Sequence, residues 1–485
     1  MSFPSIRHPW RVLALVLLAF LVLPRPALRA DDADEHQDDE QDDAKGAGPS
    51  LTSKSRETFI KIKAQLDAKN YDGVLSLLYG LEPTVKPDSY DMSVILDTEA
   101  KILWQGKNEP EKAIQPWERL LALVDQHPDY MEPADRVSHY LYLAQTYYLV
   151  SSDARFKNSP LRNQYFDRAL VYERRLLAET PRPSQEYILF YCSLLYQKAV
   201  ETSSKIDTAY LDQAKAEALK GLLSDPHPKE QFYILLVAIA QQENDFALAG
   251  SYLELLVVKK PTQKDYWNQL VAIYNNLAAS TGSDVEHQRS YYARAINAAE
   301  RAQALGFLKS PKDNFNLVSM YDQVGQFGRA IELLYGGMKN GSIEATLKNW
   351  QVLAYFYEQV DQQALAVKVL KEAEENPEFA AGGALDRQIA DLYYQLDNTQ
   401  GVYESCKAAV AKGNNVKNPY TTYQLLAYSA YELRKYPEAL EACEKGMTYP
   451  GAPVKDLARL KEGIQDAIKQ QQAEKAAAES ERRTL

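Results

Sequence analysis

The chain predicts an all-α protein, an α-solenoid of about ten helix-turn-helix units, on three observations. Ala169, Ala214 and Ala249 are each followed twelve residues later by a proline: Pro181, Pro226 and Pro261. A small residue in the second helix of a hairpin lets the first helix approach closely. A proline further on stops that helix, because it lacks the N–H and its ring clashes with the preceding turn. From residue 229 a triplet then recurs: an aromatic (Tyr233, Trp267, Trp350, Tyr423), an aliphatic three residues on (Leu236, Leu270, Leu353, Leu426) and a slimmer residue next to it (Val237, Val271, Ala354, Ala427). Steps of three and four put these on one helix face. A turn follows, as Asn244–Asp245 or Gly325–Gln326. After it comes a small residue (Ala249, Ala330, Ala366, Ala439), with a second contact seven residues beyond (Leu256, Gly337, Ala373, Gly446).

Residues 1–30 read as a signal peptide. Arg7 and Arg11 give a basic start, Val12 to Leu23 is apolar but too short to span a bilayer comfortably, and Pro24 to Ala30 ends in a small residue. Cleavage is expected after Ala30, leaving a chain with no direct membrane insertion; the other reading is an anchor that is never cut. No cysteine precedes Cys192, so there is no lipoprotein acylation site. The expected destination is the periplasm of a Gram-negative bacterium. Residues 31–50 read as an acidic, disordered tether: Asp31 to Asp43 holds nine acids in thirteen residues and no lysine or arginine. Its spacing matches no EF-hand loop.

Residues 51–228 hold divergent repeats. Tyr71 and Val74, and later Ala113, sit where second helices belong. Leu143-Ala144-Gln-Thr-Tyr147 reads as a first helix whose partner Ala169 arrives late, behind an insert near 151–163. Residues 229–450 hold regular repeats, with a similar insert near 280–290 between Tyr274 and Ala295. Each insert either lengthens its hairpin or bulges as a loop, and such loops often touch partners. Residues 451–485 read as a capping helix over Val454 to Ile468 and then a frayed tail, since large apolar residues run out beyond Gln470.

The formal net charge is −11, and the first thirty residues contribute four arginines and no acid, so the rest is more negative still. That argues against nucleic acid and against an anionic membrane surface as partner. The 33 tyrosines suit helices half-covered by the next repeat, burying a ring while keeping a hydroxyl at the edge. Three cysteines do not make a disulfide framework. Cys406 and Cys443 fall at equivalent helix positions and read as buried small hydrophobes, with a pair as the alternative.

No constellation of catalytic residues emerges. No two of His8, His36, His127, His139, His227 and His287 stand three or four apart, so no helix face offers a paired metal site. There is no Cys-x-x-Cys, Walker loop, nucleophile elbow or Rossmann fingerprint. Gly336–Gly337 and Gly382–Gly383 read as close helix approaches or turns rather than a phosphate cradle. The chain is therefore read as non-enzymatic, with no catalytic residue, cofactor or metal ligand assigned.

The stretch Trp350-Gln-Val-Leu353-Ala354-Tyr-Phe-Tyr357 with Ala366 and Ala373 resembles the tetratricopeptide repeat. So do Tyr423 to Gly446, with Tyr436-Pro-Glu-Ala439-Leu, and Leu317 through Tyr321 to Ala330. The resemblance covers most of residues 55–450 and implies a right-handed superhelix that binds protein, with first helices lining its concave face. Outward positions of those helices are then the candidate contacts: Asn268, Gln351, Tyr355, Arg387, Asp391, Tyr394, Gln424, Tyr428 and Tyr431. This aromatic and amide mixture, with one cation, suits an extended or helical peptide; a merely solvated face is the alternative. The lysine, arginine and asparagine clamp that grips a C-terminal carboxylate in some members is lacking.

The order of features is also similar to exported tetratricopeptide proteins associated with TonB–ExbB–ExbD systems. It is carried by Lys264-Asp-Tyr-Trp267-Asn-Gln-Leu270, Ala302-Gln-Ala-Leu-Gly306-Phe307-Leu308, Tyr335-Gly-Gly-Met338 and Tyr403-Glu-Ser-Cys406. That resemblance implies a periplasmic partner supporting outer-membrane uptake. Two other readings stay open: an assembly factor for an envelope or secretion complex, and an enzyme or solute-binding protein in a helical fold.

Overall fold

The computed structural model describes residues 49–201 and 206–484, with side chains as far as residue 478. The expected signal peptide, and all but the last two residues of the acidic segment, lie outside the described residues. The regular structure of the described residues is entirely helical. Two compact units divide between Pro261 and Thr262. In the first unit, α1 (Ser53–Asp67) pairs with α2 (Tyr71–Leu81), α3 (Tyr90–Lys101) with α4 (Pro110–Gln126), and α5 (Pro133–Ser151) with α6 (Pro160–Glu179). Then α7 (Gln185–Ala199) pairs with α8 (Thr208–Leu223) and α9 (Glu230–Gln242) with α10 (Phe246–Lys259). In the second unit, α11 (Lys264–Ser280) pairs with α12 (Val285–Ala304), α13 (Pro311–Gln323) with α14 (Phe327–Asn340), and α15 (Leu347–Gln359) with α16 (Gln363–Ala373). The last pairs are α17 (Ala384–Gln395) with α18 (Thr399–Ala411) and α19 (Pro419–Glu432) with α20 (Tyr436–Met447), before α21 (Val454–Thr484). This is the all-α succession of tetratricopeptide-like hairpins that the spacing predicts.

One seam recurs in every pair. The second helices bury Val74, Ala113, Ala169, Ala214, Ala249, Ala295, Ala330, Ala366, Val402 and Ala439. Seven residues beyond each lies a second buried contact, running from Leu81 and Leu120 through Gly221 and Leu256 to Ala409 and Gly446. These are two turns of one helix face, and only small side chains at the first position let the partner helix close. At Gly221 an added Cβ would stand 2.3 Å from the Phe232 ring of the next hairpin. Opposite the seam, Leu236, Leu270, Leu353 and Leu426 are buried, as are Trp267, Trp350 and Tyr423. Tyr233 and Val271 are only half-buried. The helices α6, α8 and α10 end at Glu179, Leu223 and Lys259, just before Pro181, Pro226 and Pro261.

A left-handed turn residue recurs between paired helices in both the divergent and the regular repeats. Lys69, Asn108, Asn244, Gly325, Asp361, Asp397 and Arg434 each close a hairpin in the left-handed region, with φ between +52° and +71°. The next N–H reaches back five residues or more, as Gln362 to Tyr357 (2.8 Å) and Lys435 to Ala430 (2.7 Å) show, which satisfies carbonyls at the helix end. A non-glycine residue there costs roughly 1–2 kcal/mol, offset by these bonds. The hairpins α5–α6 and α7–α8 have longer connections, and α11–α12 turns through Gly282, also left-handed at φ +60°. The helices flanking the two inserts are longer: α5 and α6 have 19 and 20 residues and α11 and α12 have 17 and 20, against 13 and 11 in α15 and α16. Between α5 and α6 the remainder forms one 3-10 turn, Ala154–Phe156.

Second helices are also latched to one another. The Tyr335 hydroxyl donates to Glu372 (3.0 Å), and Lys339 pairs with the same carboxylate. The Tyr403 hydroxyl and Lys407 repeat this on Glu438. In the first unit Glu118 accepts from Tyr147 (2.6 Å) and Tyr172 (3.1 Å) and pairs with Arg168. At the end of the second unit, α21 buries Leu457 and Ile464 and lays Leu460 and Ile468 on the α19–α20 core. It then runs on to Thr484 through strong helix formers whose described side chains are exposed from residue 472.

The seam gives substitutions of opposite sign. Ala354→Leu should destabilise by about 1–3 kcal/mol through overpacking, and Gly221→Ala should destabilise through its clash with Phe232. Gly336→Ala, which meets nothing within 4 Å, should stabilise by roughly 0.5–1 kcal/mol. Thermal and denaturant melts of the three variants check this; equal melting points would contradict the register.

Candidate protein-binding face

Burial of Leu353 and Ala354, Ile389 and Ala390, and Leu426 and Ala427 in their hairpins fixes the rotation of α15, α17 and α19. The opposite stripe then follows from helix geometry at steps of four and three. On α15 it is Gln351, Tyr355 and Glu358; on α17, Arg387, Asp391 and Tyr394; on α19, Gln424, Tyr428 and Tyr431. The first member of each triplet is half-buried, and so is Tyr431. Tyr355 and Tyr428 are 44% exposed and Tyr394 is 65% exposed, far more than a tyrosine packed between repeats.

The structure brings some of these residues together. Gln351 Nε2 donates to Gln388 Oε1 (3.1 Å), so α15 and α17 meet on this face. Gln388 was not among the residues read from sequence: it sits one place beyond the register, and only the neighbouring helix reveals its role. Arg387, the one cation expected there, lies along its own helix and forms an ion pair with Asp391, so it is neutralised. Tyr355 packs edge-on to Phe327 (6.4 Å between ring centroids), and Tyr431 packs on Tyr436 (5.9 Å). Asn268, half-buried on α11, stands apart from the others, because the repeat between them presents Phe315 and Ser319 at the equivalent places.

The tyrosine hydroxyls differ in what they meet. Those of Tyr140, Tyr147, Tyr172, Tyr321, Tyr335 and Tyr403 donate to glutamates. Burial, helped by Glu179, pushes the Tyr140 hydroxyl up to about 12. The hydroxyls of Tyr355, Tyr394, Tyr428 and Tyr431 make no hydrogen bond among the described residues. Each is a donor held at an exposed edge.

Elsewhere the titratable groups are structural. Cys406 and Cys443 are buried and unpaired, and burial pushes their thiols up to about 12 and about 11, far from a reactive thiolate. Among the described residues no group of three or more His, Cys, Asp or Glu is placed to hold a metal ion, and no helix is long and apolar enough to cross a membrane. Gly337 packs on Ile343 and Gly383 on the Ala409 backbone, both close approaches. In the first unit a cavity of about 710 Å³ lies where the α6–α7 connection meets the end of α8. Its Glu186 and Glu217 are taken up by Lys229 and Lys220.

No protein-family model matches the chain, and no curated protein matches it. Solved structures to which it is similar include tetratricopeptide-repeat proteins. A thermophilic one from Thermus thermophilus shares 16% identity over 42% of this chain and 99% of its own, with a TM-score of 0.22. One from Parabacteroides merdae shares 11% over 60% and 98%, with a TM-score of 0.26. The C-terminal part of one from Cytophaga hutchinsonii shares 15% over 56% and 99%, with a TM-score of 0.29. The repeat assignment rests on the seam and turn register, not on these similarities.

One group on α6 yields a pH signature. Glu173 is fully buried, neither carboxylate oxygen has a partner, and burial raises its pKa well above the ordinary value. The folded chain therefore keeps a proton that the unfolded chain releases near pH 4. Its contribution is fully present below about pH 4 and is lost as pH rises towards the folded-state pKa. Glu173→Gln should thus melt higher than the parent at neutral pH, with the gap closing in acid. Melts between about pH 4 and 8 check it, and a gap that widens in acid would contradict the assignment.

Proposed function

We propose that this chain is a non-enzymatic, exported scaffold that holds an extended segment of a protein partner along the first-helix face of α15, α17 and α19. The observation that supports this is the set of exposed tyrosine rings with unused hydroxyls on consecutive first helices, flanked by half-buried glutamines. A solvated face gains nothing from exposing large rings, whereas a peptide groove needs rigid apolar surface next to hydrogen-bond donors. The signal-like first thirty residues support export to a Gram-negative periplasm. The order of motifs from Lys264 to Cys406 supports a partner within a TonB–ExbB–ExbD system, and the negative charge supports a protein rather than nucleic acid.

Photo-crosslinking in the native envelope tests the reading. A benzophenone side chain in place of Tyr428 should give a discrete adduct containing a TonB-system component. The same group in place of Glu441, exposed on the second helix α20, should give none. Equal labelling from both positions, or none from Tyr428, would remove the face from consideration. The periplasmic protein should begin at Asp31; a chain that keeps Met1 and stays in the cytoplasm would overturn export.

A further inference from the structure

Resting on the scaffold reading above, we infer that the segment bound on this face is an uncharged, proline-rich stretch in the polyproline II conformation. Three features of the face point to it, and the first is donor chemistry. The free groups at Tyr355, Tyr394, Tyr428 and Tyr431 are hydroxyls able to donate, and Gln424 adds an amide donor. A proline-rich chain offers carbonyl acceptors with few N–H groups, and it has no internal hydrogen bonds to compete for them. A helical peptide has already spent its carbonyls internally and presents none to such a row.

The second is shape. Exposed tyrosine rings give flat apolar surfaces on which pyrrolidine rings pack, the mode by which aromatic-lined grooves take polyproline II segments. A polyproline II segment is extended, advancing about 9 Å for each three-residue turn, so a short stretch can run across more than one first helix. The Gln351–Gln388 hydrogen bond shows that α15 and α17 approach each other on this side.

The third is charge complementarity. Of the nine stripe positions on these helices, Arg387 and Asp391 cancel each other, leaving Glu358 as the lone unpaired charge. An acidic segment would meet that carboxylate with no free cation to receive it. A basic segment would find one acid where a charged ligand needs several. An uncharged segment leaves no ion stranded.

The test is fluorescence anisotropy with the mature full chain and three labelled peptides of about ten residues: oligoproline, a Pro→Ala counterpart, and a lysine-rich one. Oligoproline should bind at least about tenfold more tightly than the other two. Tyr394→Ala with Tyr428→Ala should lose that binding while the far-ultraviolet dichroism and melting point stay at parental values. Tyr394→Phe with Tyr428→Phe, keeping the rings but not the donors, should fall between the two. Equal binding of the alanine or lysine peptide, no binding of oligoproline, or an unaffected double alanine variant would each overturn the inference. If oligoproline fails while the Tyr428 adduct persists, the scaffold reading stands and only the ligand chemistry falls; if the adduct is also absent, both fall.

Discussion

A hairpin of two helices in water has nowhere to put its apolar stripes unless the helices come close, and they come close only where one of them is small. That constraint governs this molecule. In eight of the ten second helices the deepest seam position is alanine, with no exposure at all. The other two, Val74 and Val402, are also buried. With the seam closed, a hairpin still has an uncovered side, which within each unit the next hairpin's first helix covers. Stability is then a chain of short-range contributions from hairpins and their interfaces, with no central core to organise it. Aromatic residues fill space that alanines cannot: Trp350 meets the ring of Tyr335 in the preceding hairpin, and Trp267, Trp350 and Tyr423 are all buried although they lie near the start of their helices.

Tyrosine is suited to that wedge because its ring is apolar and its tip is not. Where the ring goes in, the hydroxyl must find an acceptor, and a glutamate on an adjacent helix supplies it: Glu372 for Tyr335, Glu438 for Tyr403, Glu118 for Tyr147 and Tyr172. Lysine or arginine one turn away then balances the carboxylate, as Lys339 and Lys407 do on the ring of their own helix's tyrosine. The acidic residues that make the chain negative are thus partly spent inside the stack, and net charge alone says little about which surface a partner would meet.

Much of this was legible in the sequence because the seam is local. Two small positions seven apart, an aromatic-aliphatic-small triplet and a turn residue lie within one unit, so spacing alone places Ala354, Ala366 and Ala373 correctly. Two things were not legible. The latches join residues in different repeats, Tyr335 to Glu372 and Tyr403 to Glu438, about one repeat apart but at different offsets from the seam, so no single spacing marks them. The pairing of Arg387 with Asp391, and of Gln351 with Gln388, depends on side-chain direction and on the neighbouring helix. Arg387, the one cation expected on that face, is neutralised by Asp391 one turn on, and residue type alone does not show that. The inserts near 151–163 and 280–290 were open in sequence because a longer helix and a bulging loop have the same length. The flanking helices are longer in both hairpins, but in the first the residues 152–159 stay outside α-helix.

The same closure that stabilises the stack limits where function can sit. A seam whose first position is alanine or valine brings the two helices of a hairpin close, and the latches occupy tyrosine hydroxyls and glutamates between hairpins. Exposed groups that can make new bonds then lie at positions that neither seam nor latch constrains. On α15, α17 and α19 those positions carry Tyr355, Tyr394 and Tyr428 with their rings in water. Because the seam does not depend on them, they are free to be any residue that keeps a helix soluble, and glutamate or lysine would do that at less cost in exposed apolar surface. Tyr355 still packs edge-on to Phe327, but the exposed parts of the three rings, each with a donor to spare, fit the proposal of a ligand that covers them and accepts from the hydroxyls.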